Sequence, residues 1–334
     1  VTTEVRPGLL VEYALSYLYS SALNTAARLG VADHLHDGPR TAAELAAATG
    51  AHGPNLHRVL RFLATRGVFR EDDESRFHLT PLAEPLRADS PKSLRDFVLS
   101  LGDGIFLEPA ARMYDTVVSG RAVFDDIFDA PFYEHLANDP VTGPAYNAGM
   151  AAFSNLVSND VTAAYDFPDH AVVVDVGGGR GGLLRSILLQ HPHVTGVLFD
   201  LPSVVDDHVL DEPDLAGRWR VESGDFFESV PEGGDVYVFK HVFASWSDAD
   251  CLRLLSTCRK TMPDNGRVLV VNGVIPPGND PHPGKTIDVL ILNLLGGKER
   301  TLPEYESLLV EAGFTVSRVI PVSPNATIIE GTPA

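Results

Sequence analysis

Cysteine is almost missing from this 334-residue chain, which carries only Cys251 and Cys258. Seven positions apart on one predicted helix, they lack the spacing of a metal-ligand pair and read as apolar core positions. That leaves out a disulfide scaffold or a zinc module, and no metal site is expected. No run of eighteen apolar residues exists, and no basic region followed by an apolar one opens the chain. Nothing therefore marks a membrane span or a secretory signal, and a cytoplasmic location is expected. Positive charge is scarce: 26 Lys and Arg stand against 45 Asp and Glu, a net charge of −19. Such a field repels phosphates and argues against a nucleic-acid partner. Internal repeats and low-complexity segments are absent. What remains is an apolar content of 44%, enough for an ordinary packed core in a chain long enough for a full α/β domain and a second unit.

The most informative stretch is Val172-Val173-Val174-Asp175-Val176-Gly177-Gly178-Gly179-Arg180-Gly181-Gly182. Its apolar run without polar alternation suits a parallel strand covered on both faces, and its glycines let backbone approach a ligand that a Cβ would push away. Gly177-x-Gly179-x-x-Gly182 matches the dinucleotide fingerprint, so the spacing alone does not separate a nicotinamide from S-adenosylmethionine. Further along, Asp200 ends a second strand (194–199), where a carboxylate can hold both hydroxyls of a ribose. Gly224-Asp225-Phe226-Phe227 ends a third strand begun near Trp219 and offers an acid and a flat aromatic at the same sheet edge. Three such turns in succession fit a nucleoside.

Taken with Phe-Asp-Leu-Pro-Ser-Val-Val at 199–205, Lys240-His241-Val242 and Trp246-Ser247-Asp248, these motifs resemble the small-molecule O-methyltransferases similar to plant caffeic acid O-methyltransferase. The bacterial members that tailor aromatic polyketides are the most similar in style. The resemblance spans nearly the whole chain. It implies S-adenosyl-L-methionine as cofactor, held by Asp175, Gly177, Gly179, Asp200, Asp225, Phe226, Lys240 and Trp246. Asp200 would take the ribose, and Asp225 and Phe226 the adenine with Trp246 nearby. It also implies an aromatic small-molecule substrate and a homodimer.

Elsewhere, Leu9–Leu29 is apolar at helical spacing on more than one face, which calls for a second subunit. Thr41-Ala-Ala-Glu44 is a capping box for a short helix stopping at Gly50. A helix at Pro54–Arg66 precedes a two-stranded wing, 68–70 with 76–79. That layout also occurs in winged-helix DNA readers, a reading the acidic charge disfavours, while the resemblance makes the module a dimerisation lobe. The helical stretch 146–153 would roof the acceptor pocket in the resembled family, which nominates Asn147, Met150 and Phe153 as substrate-binding, although such a stripe also suits plain core. From 166 onward strands and helices alternate, as right-handed crossovers of a doubly wound sheet require. A terminal hairpin around Val322-Ser323-Pro324 makes one of the last strands antiparallel, expected of a methyltransferase and unusual for a dehydrogenase. The expected fold is thus α/β, a mostly parallel seven-stranded sheet of class I methyltransferase type behind an N-terminal helical winged-helix dimerisation domain. The expected divisions are 1–100 for that domain, 101–165 for a helical linker and acceptor-pocket segment, and 166–334 for the catalytic domain.

One motif departs from the resembled pattern. Where the family reads Lys-His-Val-Leu-His-Asp-Trp, with its second histidine taking the proton from the acceptor hydroxyl, this chain reads Lys240-His241-Val242-Phe243-Ala244-Ser245-Trp246. Ala244 occupies the base position, and Asn272 stands where an acid is common. His241, on a strand, would point away from the face of Lys240 and Val242. Glu299 alone matches the acids flanking the family's histidine and is the one catalytic candidate, its other reading being a solvated charge ahead of the Thr301–Glu304 capping box. A general base contributes roughly 10²–10⁴-fold, whereas alignment supplies effective molarities of about 10⁵–10⁸ M. Methyl transfer by proximity therefore survives the loss. The alternative is chemistry in which the bound sulfonium assists decarboxylation, hydroxylation or cyclisation without methylating.

Overall fold

The computed structural model describes residues 7–334 and divides them into two compact units. The stretch 1–6, which belongs to the expected 1–100 division, lies outside the described residues. The first unit holds residues up to Leu107 together with Ala148–Phe153, and the second holds Glu108–Asn147 and Ser154–Ala334.

In the first unit α1 (Pro7–Ala14) and α2 (Ser16–Arg28) replace the single helix expected over Leu9–Leu29. Leu15, at φ −96° and ψ 6°, turns the chain between them. After α3 (Val31–His34), β1 (Arg40–Thr41) leads into α4 (Ala42–Thr49). Thr41 and Glu44 cap α4 reciprocally, and Gly50 at φ 73° closes it, which places glycine where a left-handed residue is needed. Helix α5 (Gly53–Ala64) then precedes β2 (Phe69–Glu71) and β3 (Arg76–Leu79). The wing is a three-stranded sheet in the order β1-β3-β2 rather than a pair, because Arg40 and Thr41 extend its free edge opposite Phe77 and Arg76. Leu45, Leu56, Leu60, Leu63, Phe69 and Phe77 form the unit's core. Helix α6 (Arg95–Ser100) is tied to α2 by Asn24, whose amide donates to the Val98 and Leu99 carbonyls.

Five helices follow: α7 (Gly104–Ala111), α8 (Met113–Ser119), α9 (Phe124–Phe128), α10 (Phe132–Asn138) and the 23-residue α11 (Thr142–Ala164). They lead to β4 (Val172–Val176), α12 (Gly182–Gln190), β5 (Thr195–Asp200), α13 (Pro202–Val205), β6 (Trp219–Ser223) and β7 (Val236–Lys240). The chain ends with α14 (Asp248–Thr261), β8 (Arg267–Asn272), α15 (Pro283–Leu294), α16 (Leu302–Glu311), β9 (Phe314–Ser323) and β10 (Ala326–Pro333).

The seven strands β4–β10 order as β6-β5-β4-β7-β8-β10-β9, parallel except that β10 runs antiparallel to both neighbours. The order reverses between β4 and β7. Successive residues of each central strand enter different cores: Val174, Tyr237, Phe239, Val268 and Val270 pack with α14 and α16, while Val173, Val236, Val238, Leu269 and Val271 pack with α11 and α12. That two-sided burial is why these strands read as continuous apolar runs, each fully buried aliphatic chain contributing roughly 1.5–3 kcal/mol. Cys251 and Cys258 are buried free thiols in the first of these cores.

Candidate active site

In an open parallel sheet, ligands collect outside the carboxyl ends of the strands where their order reverses. Here that point lies between the turn after β4 and the end of β7. Gly177 and Gly179 adopt φ of 67° and 59°, conformations that disfavour any side chain. A Cβ on Gly177 would approach Val242 and Phe226, and one on Gly178 would sit 2.8 Å from Asp175 Oδ2. Asp200, at the end of β5, accepts from the Gly179 amide (2.8 Å) and the Leu201 amide (2.7 Å). Two backbone donors thus fix the carboxylate, and its other lone pairs stay open for further donors. Burial nonetheless raises its pKa.

Beneath the glycines Asp175 is buried, with Oδ2 lacking a hydrogen-bond partner. Its electrostatic partner is Lys240. Burial pushes the carboxyl up and the ammonium down, and each charge opposes the shift of the other. The ammonium donates to the Ser154 carbonyl, Ser154 Oγ and Ser158 Oγ, all at 2.7 Å, so that a serine pair one helical turn apart on α11 grips the end of β7.

An aromatic group forms the other border. Trp246 meets Phe227 edge-on at 4.7 Å and Phe226 at 5.9 Å, and stacks on Tyr133 at 5.7 Å. The Asp225 carboxylate is exposed and caps the Phe227 amide. Tyr133 donates to Ser245 Oγ (2.9 Å) and is hydrogen-bonded to Tyr146. Burial raises both phenols, with the Asp200 charge adding to it. The expected residues Asp175, Gly177, Gly179, Asp200, Phe226, Lys240 and Trp246 therefore form one connected border around the strand ends. Asn147 lies in the same unit beside Tyr146, whereas Met150 and Phe153 fall in the first unit, where Phe153 stacks on Phe97 at 4.9 Å.

Ala244 is buried in a 3₁₀ turn, Phe243–Ser245. That turn is held by Arg300, a fully buried guanidinium that donates to the carbonyls of Phe243 and Trp246 and pairs with Asp248. His241 corrects the strand argument: β7 ends at Lys240, and His241 sits at φ 59° outside the strand alternation, its amide donating to the Val271 carbonyl. Burial, reinforced by Lys240, lowers its pKa to about 3, which makes it a poor base. Asn272 is fully buried, with neither amide atom hydrogen-bonded.

Glu299 is buried rather than solvated. Its loop rests on the Ala244 turn, since a Cβ on Gly297 would collide with the backbone from Ala244 to Trp246. Its amide donates to Asp288 Oδ1 (2.8 Å), while its own Oε2 has no partner. Burial lifts the carboxyl to about 7, the Asp288 charge adding and Arg300 opposing.

Tyr133, Ser154, Ser158, Asp288 and Arg300 were not singled out by sequence reasoning. The Lys240–serine contact spans 86 positions and leaves no local signal, though the Ser154/Ser158 spacing marks one helix face.

A doubly wound sheet with a β4 glycine turn, an Asp at the end of β5 and a terminal antiparallel hairpin is the arrangement expected of a methyltransferase. Residues 111–315 match the model of the O-methyltransferase domain, and residues 11–89 that of the O-methyltransferase dimerisation domain. Phenazine O-methyltransferase PhzM of Lysobacter antibioticus is 36% identical, the match covering 97% of this chain and 96% of that one. The 2,7-dihydroxy-5-methyl-1-naphthoate 7-O-methyltransferase of Streptomyces carzinostaticus is 35% identical, with 93% of each covered. Among solved structures, CalO1, a methyltransferase of calicheamicin biosynthesis in its S-adenosylhomocysteine-bound form, superposes with a TM-score of 0.90 at 43% identity over 99% of this chain and 100% of that one. The chain belongs to the O-methyltransferase family of S-adenosylmethionine-dependent enzymes. Among the described residues no helix is long and apolar enough to cross a membrane, and no cluster of potential metal ligands occurs.

Proposed function

We propose that this enzyme methylates a hydroxyl of an aromatic, polyketide-type secondary metabolite, and that Glu299 receives the proton in place of the histidine that Ala244 replaces. S-adenosylmethionine supplies a methyl group on positively charged sulfur, so that an O–CH₃ bond forms as the S–CH₃ bond breaks. The residues present fit that cofactor. The glycine turn leaves room for its backbone approach, Asp200 retains free lone pairs for ribose hydroxyls, and the orphaned Asp175 Oδ2 calls for a donor. Asp225 and Phe226 take the adenine, and Trp246 closes that side. Asn147, Met150 and Phe153 are assigned to the acceptor.

The observation that carries this reading is the buried, unpartnered Oε2 of Glu299, on a loop whose Gly297 packs against the Ala244 turn. A carboxyl lifted to about 7 is half ionised at neutral pH and strong enough a base to accept a proton from an acidified phenol. Proximity supplies the larger share of the rate. We further assign the segment 1–100 to homodimer formation, 101–165 to linking and acceptor binding and 166–334 to catalysis, in a cytoplasmic enzyme without a nucleic-acid partner.

The test incubates the protein with methyl-labelled cofactor and a panel of phenolic polyketides, wild type beside Glu299→Gln, with products weighed. Gain of one methyl by the wild type, and a rate cut at least tenfold in the variant, is expected. Loss of carbon dioxide or gain of oxygen, with the label still on sulfur, would replace this reading by the non-methylating one, which the alanine at position 244 favours. Undiminished methylation by the variant would remove Glu299 from the mechanism.

A further inference from the structure

The Glu299 loop has an anchor outside itself. Asp288, on the half-buried face of α15, accepts the Glu299 amide at 2.8 Å, and α15 also packs on the Phe243–Ser245 turn that carries Ala244. One carboxylate therefore fixes the backbone of the proposed proton acceptor and places a negative charge beside its side chain. We propose that Asp288 is a positioning residue for the reaction: it tethers the loop through the Glu299 amide, and its charge keeps the Glu299 carboxyl basic enough to accept a phenolic proton. The inference rests on the proton-acceptor reading of Glu299.

The surroundings favour Asp288 for this task. On the β8 side Glu299 meets Gly273, which has no charge. From α16 it meets Tyr305, whose phenol burial keeps neutral. Within its own loop Lys298 is engaged by Asp248 and Glu304, and Arg300 by Asp248 and the carbonyls of the Ala244 turn. Burial is the larger cause that raises the Glu299 carboxyl; Arg300 favours its ionised form, and Asp288 is the acid whose charge adds to burial. A like charge within a few ångströms raises a carboxyl by about one unit or more.

The experiment records kcat and kcat/KM against pH for wild type, Asp288→Asn, Asp288→Glu, Asp288→Ser and Glu299→Gln, with adenosylhomocysteine affinity and the unfolding midpoint as controls on the fold. Asp288→Asn keeps an oxygen for the Glu299 amide and removes the charge. Its acid limb should move to lower pH by about one unit, with a plateau a few-fold lower because the base is weaker. Asp288→Glu, which keeps the charge, should leave the limb near the wild-type position, and Asp288→Ser should reproduce the downward move if the asparagine variant does not fold. An unmoved limb in both neutral variants, with the limb abolished in Glu299→Gln, overturns the role of Asp288 and leaves Glu299 standing. A limb that persists in Glu299→Gln overturns the acceptor reading itself.

Discussion

Glu330 lies in the middle of β10 with its side chain 4% exposed. It accepts from the Tyr165 hydroxyl (2.6 Å), from Ser317 Oγ and from Arg318 through Nη2 (2.6 Å) and Nε (3.2 Å), with Arg267 at 3.6 Å. Burial alone would raise its pKa, but these donors overcome it and hold the carboxyl at about 2. Against an unperturbed value of 4.5, this is about 2.5 units, or roughly 3 kcal/mol of native-state stabilisation at neutral pH. Arg318 is 42% exposed and screened by solvent, so this is an upper figure. The folded pKa is depressed, so the contribution is complete above about pH 5 and is lost as pH falls towards 2, with about 1.4 kcal/mol left at pH 3. Glu330→Gln removes the charge while keeping the shape. Urea unfolding of both proteins, repeated from pH 7.5 to 3.5, should give a gap of about 2–3 kcal/mol that is flat down to pH 5 and narrows below it. A gap under about 0.5 kcal/mol, or one that widens in acid, refutes the reasoning.

Asp200→Ala should weaken adenosylhomocysteine binding about 10- to 100-fold, because each lost hydrogen bond to a charged group is worth about 1.5–3 kcal/mol; unchanged affinity by calorimetry removes Asp200 from the cofactor site. Gly178→Ala drives a Cβ to within 2.8 Å of Leu198 and Asp175, whereas Gly179→Ala meets nothing within 4 Å and bears only the strain of φ 59°. Thermal unfolding should therefore show a loss of about 1–3 kcal/mol for the first and about 1 kcal/mol for the second, and the reverse order contradicts the geometry. In the Glu299→Gln background Ala244→His should restore kcat, by up to about 100-fold; no recovery in a double variant that binds cofactor normally shows that position 244 does not face the reacting hydroxyl.

The sheet was legible because its strands are buried on both faces. Val172–Val176 and Arg267–Asn272 announce themselves as apolar runs, and Thr41/Glu44 and Gly50 as helix punctuation. The turn after β4 and the acid at the end of β5 were legible as positions for a related reason: glycines and acids at strand ends have few structural duties. The misread places are those where tertiary contacts override local pattern. Nothing in Leu9–Leu29 marks the turn at Leu15, the third wing strand rests on two residues, and His241 leaves its strand through a left-handed conformation that a histidine rarely adopts. Nor does an isolated sequence reveal that Glu299 is buried, since its neighbours Lys298 and Arg300 make the segment look solvated until Arg300 is seen engaged by Asp248 and the carbonyls of the Ala244 turn.

The insertion of β10 between β8 and β9 has a consequence for how the molecule assembles. Its β9 partner is next to it along the chain, but β8 is more than fifty residues away, so the hairpin closes at far lower entropic cost than its docking. Docking then demands the right phase. A slip of one position would swing Glu330 away from Tyr165 and bury an aliphatic neighbour's place with charge. The irregularities in the β9–β10 ladder at Ala326/Thr327 and Glu330/Gly331 set the register inside the hairpin, while its ladder to β8 runs regularly from Thr327 opposite Asn272 to Gly331 opposite Val268.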